Sequence, residues 1–206
     1  YVGADFRFDP PPLHPFELPS ISIVGTGKRV GKTAVTTHLA RMLARERKVV
    51  CVAMGRGGPP EPELVETPPT VDDLVARSRA GQHAASDYLE IAALARVPTI
   101  GCRRAGGGIY GAPFVSNVLE GAQLAAAQGP DIVLFDGSGS AIPPIATTIR
   151  ILVGREPYRA LISDLVLEEL DVRLTPTEPI EGRVAVFTAA PAATEHLEPV
   201  FVSHDL

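Results

Sequence analysis

Two periods of apolar residues alternate along the chain. "SISIV" (20–24) is a short apolar run of strand length, and it enters the glycine-rich stretch "GTGKRVGK". From Thr33 to Arg45 the apolar positions Val35, Leu39, Met42 and Leu43 share one helical face. "KVVCVAM" is continuous and β-branched, as in a strand buried on both faces, and it ends in "GRGG". Residues 70–79 and 87–96 carry helical patterns, with Asp87 and Glu90 spaced as a capping box. "VPTIGC" reads as a strand and "FVSNVLEGAQLAAAQ" as a helix closed by Gly129-Pro130. "DIVLFDGSGS" is a strand running into a loop; "TIRILVG", "ALISDLV" and "RVAVFTA" are further strand candidates.

Strand and helix in alternation predict an α/β fold: three layers, a mainly parallel sheet with helices on both faces. In such sheets ligands bind beyond the carboxyl ends of the strands. The loops after Gly25, Gly55, Cys102 and Asp136 are therefore expected at one edge. Residues 1–20 are rich in proline ("FDPPPLHPFELPS") and predict an extended linker to something upstream, with one domain over 21–206. The chain opens on Tyr1 and ends in "VFVSHDL", a strand stopping as its loop begins, so a piece of a longer polypeptide is expected.

Composition changes this picture in one respect. The 206 residues are 45% hydrophobic and 21% charged, ordinary for a soluble domain, with a net charge of −5. Such a surface does not attract nucleic acid or anionic membrane, so neither is expected as a partner. Any strongly anionic ligand needs basic residues concentrated locally. Cys51 and Cys102 lack a metal or redox spacing and read as reduced, partly buried thiols of a cytoplasmic protein. No apolar run approaches the length of a membrane span.

"ISIVGTGKRVGKTAV" (21–35) is strand, glycine-rich loop and helix start in succession. Backbone amides of such a loop wrap a polyphosphate, and the helix N-terminus faces the same anion. The nucleotide-binding candidates are Gly25, Thr26, Gly27, Lys28, Arg29, Val30, Gly31, Lys32, Thr33 and Ala34. Lys32 would reach the terminal phosphates and Thr33 would hold Mg²⁺. The strict spacing G-x-x-x-x-G-K-[ST] is not met, because Thr26 stands where the first glycine belongs. The loop resembles instead the Gly-Thr-x-x-x-x-Gly-Lys-[Thr/Ser] loop of the dethiobiotin synthetase and cobyrinic acid synthase group.

Asp136 ends its strand where a carboxylate can hold Mg²⁺, and it resembles the acidic metal ligand of that group. Glu61 and Glu63 in "GRGGPPEPE" could extend a metal site or be solvated surface; Glu63 is the candidate ligand. Lys28, Arg29, Lys32, Arg56, Arg103 and Arg104 all fall on loops expected at one edge. One nucleotide seldom needs so many cations; a second, heavily phosphorylated ligand would.

The segments "GTGKRVGKTAV", "VAMGRGGPPEPE", "HAASDYLE", "TIGCRRAGGG", "PFVSNVLEGA", "DGSGSAIPP" and "YRALISDLV" occur in that order. Together they resemble the cyclic 2,3-diphosphoglycerate synthetase family, over most of residues 20–190. The resemblance implies a phosphate-loop NTPase fold and an ATP- and Mg²⁺-dependent synthetase. That enzyme closes an anhydride between the two phosphates of 2,3-diphosphoglycerate, releasing ADP and phosphate, and is credited also with phosphorylating 2-phosphoglycerate. It implies Lys32, Lys28 and Arg56 as catalytic groups. Arg56, Gly57, Gly58, Arg103, Arg104, Gly137 and Ser138 would hold the small anionic substrate. Thr33, Asp136 and Glu63 would surround the metal, and a homodimer is expected.

The family's separate N-terminal domain is not in this sequence, and the stretches around Gly154 and after Val166 read as shorter than the family pattern. Two rivals share the loop. A carboxylate-activating ligase of the dethiobiotin or cobyrinic acid type leaves the arginine excess without a role. A nucleotide switch like the partition and septum-site ATPases carries a lysine where this loop has Gly27.

Overall fold

The computed structural model describes residues 4–5, 7, 12–82, 87–106, 111–154, 185–187 and 201–203. Its strands are β1 His14–Pro15, β2 Ser20–Gly25, β3 Val49–Arg56, β4 Glu63–Val65, β5 Thr99–Ala105, β6 Val115–Ser116, β7 Ile132–Asp136, β8 Ile145–Ala146, β9 Ile149–Val153, β10 Ala185–Phe187 and β11 Phe201–Ser203. The helices are α1 Lys32–Leu43, α2 Val71–Arg79, α3 Asp87–Ala95 and α4 Val118–Ala127. The main sheet runs β11-β10-β9-β2-β7-β3-β5-β4 and is parallel along that path except for β4, which pairs antiparallel with β5 at the edge, as does the short β6 off the path.

The core divides along the alternation of each strand. On β3, Val49, Cys51 and Ala53 join Val35 and Leu39 of α1 and Leu89 and Ile91 of α3. Val50, Val52 and Met54 point the other way, with Ile100, Cys102, Phe135 and Val118, Ala122 and Ala125 of α4. An unbroken apolar strand is what a two-sided core demands. This is the expected layered α/β fold, and the loops after β2, β3, β5 and β7 lie at the carboxyl edge of the sheet. At the opposite edge Asp131 and Lys48 are cross-linked: Lys48 N donates to Asp131 Oδ2 (2.6 Å) and Asp131 N to Lys48 O (2.8 Å).

Three local expectations change, and a fourth is not reached. Residues 14–18 of the proline-rich arm pack onto the domain: β1 pairs with β8, and Phe16 stands edge-on to Phe135 with centroids 5.3 Å apart. Proline lacks a donor yet can sit in a two-residue edge strand, and here His14 N donates to Pro144 O (3.0 Å). The helix expected from Phe114 begins at Val118, because Val115–Ser116 pairs antiparallel with β5. A capping box is formed at α2, where Thr70 and Asp73 exchange hydrogen bonds, while Asp87 and Glu90 both lie in the first turn of α3. "ALISDLV" lies outside the described residues.

Candidate functional site

The loop from Gly25 to Gly31 turns β2 into α1. Its amide at Thr26 donates to Val153 O (3.1 Å), tying the loop to β9. Gly31 takes φ 103°, a left-handed conformation open to glycine, and starts the helix without a side-chain cap. The first amides of α1 therefore remain directed into a cleft of about 560 Å³ at the carboxyl edge. Lys28, Arg29, Gly31, Lys32, Thr33 and Ala34 line it from this loop. Gly25, Thr26, Gly27 and Val30 build the loop from behind: Val30 is buried in the core, and Gly27 O accepts from Lys32 Nζ (2.7 Å).

Asp136 lies buried behind Thr33 and Gly137, which line the cleft. It is 1% exposed; Thr36 Oγ1 donates to Oδ1 (2.9 Å) and Thr33 Oγ1 to Oδ2 (3.4 Å). Burial pushes its carboxyl up to about 7, against the hydrogen bonds from Thr36 and Thr33 and the charge of Lys32. Burial also lowers the Lys32 ammonium from its ordinary value, opposed by Asp136 and Asp87 and reinforced by Arg104. Beyond Asp136, Gly137, Ser138 and Gly139 line the cleft, and Ser138 and Ala141 close a tight turn through mutual backbone bonds.

Arg56 enters the cleft from the end of β3, beside Gly55. Its strand partner is Arg104 on β5, in register. Arg104 is 7% exposed, its Nη1 donates to Gly106 O (3.2 Å), and its buried Nε has no hydrogen-bond partner. Burial and the neighbouring Arg56 lower its pKa. Gly139, at φ 63°, leaves room for it: a Cβ there would stand 3.3 Å from Arg104 Nη2 and 3.7 Å from Lys28 Cγ. Arg103 falls on the other side of β5 and its Nε donates to Gly58 O (2.8 Å). Gly57 and Gly58 shape the loop after Arg56 and do not line the cleft.

Glu63 does not join the metal candidates. It lies on β4, where Tyr88 Oη donates to it (3.1 Å) and Arg77 pairs with it at 3.4 Å. The edge strand turns it toward α2 and α3. Two residues that the sequence suggests only as a helix cap also reach the cleft. Asp87 and Glu90, one turn apart on α3, line the cleft opposite Lys32, and burial raises both carboxyls. Only the order of the sheet brings α3 beside α1, so no local pattern marks them. Both cysteines are buried, and burial pushes Cys102 up to about 12 and Cys51 higher still, so neither offers a thiolate.

Among the described residues, no three His, Cys, Asp or Glu side chains cluster as a metal-binding group. The donors present are oxygens: Asp136 and the Thr33 hydroxyl, with Asp87 at the same cleft. That set fits a hard cation completed by phosphate oxygens and water, such as Mg²⁺.

A glycine-rich loop between strand and helix, a lysine at its end and an acid at the end of the adjacent sheet strand define a phosphate-loop nucleotide-binding domain. The profile of the cyclic 2,3-diphosphoglycerate synthetase P-loop domain matches residues 20–167. Relatives named cyclic 2,3-diphosphoglycerate synthetase share 52% identity over 184 residues in Rubrobacter xylanophilus and 43% over 211 residues in Thermococcus kodakarensis. Those alignments take in 81% and 95% of this chain and 42% and 49% of the relatives. The chain thus belongs to the cyclic 2,3-diphosphoglycerate synthetase family and spans about half the length of the curated relatives it matches. A solved LpxK chain from Aquifex aeolicus in complex with ATP superposes with a TM-score of 0.48 at 15% identity, over 85% of this chain and 50% of that one.

Proposed function

We propose that this domain carries the ATP-dependent closure of 2,3-diphosphoglycerate to its cyclic anhydride, releasing ADP and phosphate, with 2-phosphoglycerate phosphorylation as a companion reaction. The observation that carries this is the Arg56–Arg104 pair. Two guanidinium groups in register, one buried with an unpartnered Nε, make a receptor for an anion other than the nucleotide's phosphates. Among the described residues no carboxylate pairs with either.

In this reading the phosphate loop holds the nucleotide and Lys32 leaves Gly27 O for the transferring phosphoryl group. A substrate phosphate oxygen attacks the γ-phosphorus of ATP and the bond to ADP breaks. The second substrate phosphate then attacks the phosphorus of the first, and orthophosphate leaves with the bonding pair. Mg²⁺, when bound, neutralises charge on the phosphates; Thr33 and Asp136 would hold it, with Asp87 at hand. Arg56, Arg104 and Lys28 hold and orient the acceptor. The residues position and neutralise and form no covalent intermediate. The protein acts in the cytoplasm, as a homodimer.

Phosphorus NMR of the purified protein with ATP, Mg²⁺ and 2,3-diphosphoglycerate tests this, with Lys32→Ala as control. New anhydride resonances are expected together with ADP and phosphate, and none in the variant. ATP left intact with both 2,3-diphosphoglycerate and 2-phosphoglycerate would sink the assignment.

A further inference from the structure

The loop after β3 is held by its carbonyls, and the groups that hold them come from β5 and from the start of α4. Arg103 Nε donates to Gly58 O (2.8 Å). Asn117 Nδ2 donates to Pro59 O (3.3 Å) and Pro60 O (3.1 Å). The two braces are themselves joined: Arg103 N donates to Asn117 Oδ1 (2.6 Å), and Asn117 N to Arg103 O (3.2 Å). Asn117 occupies the N-cap of α4 but makes no side-chain capping bond, so its amide is spent on the loop. Gly58 is pressed so closely on β5 that a Cβ there would lie 2.2 Å from Cys102 O. Two prolines further reduce the freedom of the segment.

These bonds hold the first part of the six-residue connection, 57–62, that follows Arg56. Arg56 is exposed at the strand end, and its long side chain is costly to order. Pinning the following carbonyls sets the exit direction of the backbone and so keeps Arg56 beside Arg104. We infer that Arg103 and Asn117 are positioning residues, which act on the acceptor anion through Arg56 and do not touch it. The inference rests on the assignment of Arg56 and Arg104 to that anion. It divides the adjacent arginines by function: Arg104 stands beside Arg56 as the second cation of the pair, and Arg103 holds the loop.

A double-mutant cycle separates this from a direct or merely structural role. Calorimetric titration of the purified protein with 2,3-diphosphoglycerate is the readout, with ATP affinity and melting temperature measured alongside. Asn117→Ala changes no charge, and Arg103→Lys keeps the charge but loses the directed Nε donor. Each is expected to weaken 2,3-diphosphoglycerate binding roughly tenfold, within the range shown by coupled neighbours, and to leave ATP affinity unchanged. In an Arg56→Ala background neither should weaken it further. Equal losses with and without Arg56, or full binding by both single variants, overturn the positioning role alone. Unchanged binding in Arg56→Ala itself overturns both this role and the anion assignment beneath it.

Discussion

Arg104 is an expense to the empty fold. A buried guanidinium with an unpartnered Nε and a cationic neighbour is destabilising unless an anion neutralises it. Arg104→Gln should therefore raise the melting temperature of the ligand-free protein and weaken 2,3-diphosphoglycerate binding by about 10–100-fold, the loss of a charge-assisted contact. Thermal melts and titration of the same preparations check the pair; a lower melting temperature would show that Arg104 is structural. Asp136 gives a pH signature. Its folded carboxyl titrates at about 7 and an unfolded one near 3.8, so the native chain holds the extra proton between those values. Its contribution to stability is complete below about pH 4 and is lost as the pH rises to about 7. Without divalent cations, denaturant midpoints should fall over that window, and Asp136→Asn should flatten the fall. These residues were unequally legible. Lys32 and Thr33 stand in a contiguous motif, whereas Asp87 looks like part of a helix cap until the sheet order shows what it faces.

At the scale of elements, the fit of α4 on β5 depends on a missing side chain. A Cβ on Gly121 would lie 2.2 Å from Cys102 Sγ. Gly121→Ala should destabilise the fold by about 1–3 kcal/mol through overpacking, despite alanine's better helix propensity. Cys102→Ala in the same chain removes the obstructing sulfur and should recover most of that loss. Chemical denaturation of the single and double variants measures it, and additive effects would refute the steric account. Strands and helices were readable because β3 and β7 are apolar throughout and α1 has one apolar face. Their ends were less so. α4 starts at Val118 because pairing with β5 competes for Val115 and Ser116, a contact with Ala105 and Arg104 that no helical pattern signals.

The molecule as a whole carries a net charge of −5 yet collects Lys28, Arg29, Lys32 and Arg56 on one cleft, against Asp87 and Glu90. Anions should find this edge by local field, not by overall charge. Inorganic pyrophosphate, which carries no base or sugar, should raise the melting temperature by mass action, and added salt should erode the gain. A scan against salt concentration tests this; a gain that salt leaves intact would point to a site without electrostatic character. That clustering was foreseeable once the strands were assigned, since four strand ends share one edge. The Arg56–Arg104 adjacency was not, because it depends on β5 lying beside β3 in a particular register.

The strand order also sets a schedule for a chain made from its N-terminus. β2 carries the phosphate loop, but its neighbours in the sheet are β7 and β9, more than a hundred residues downstream. At typical synthesis rates of about 5–20 residues per second, roughly 6–25 s pass before those partners exist. Until then the strand feeding the loop has no flanks, and Thr26 lacks the Val153 carbonyl that anchors it. The most recognisable motif in the sequence is thus among the last parts of the nascent protein to acquire its shape.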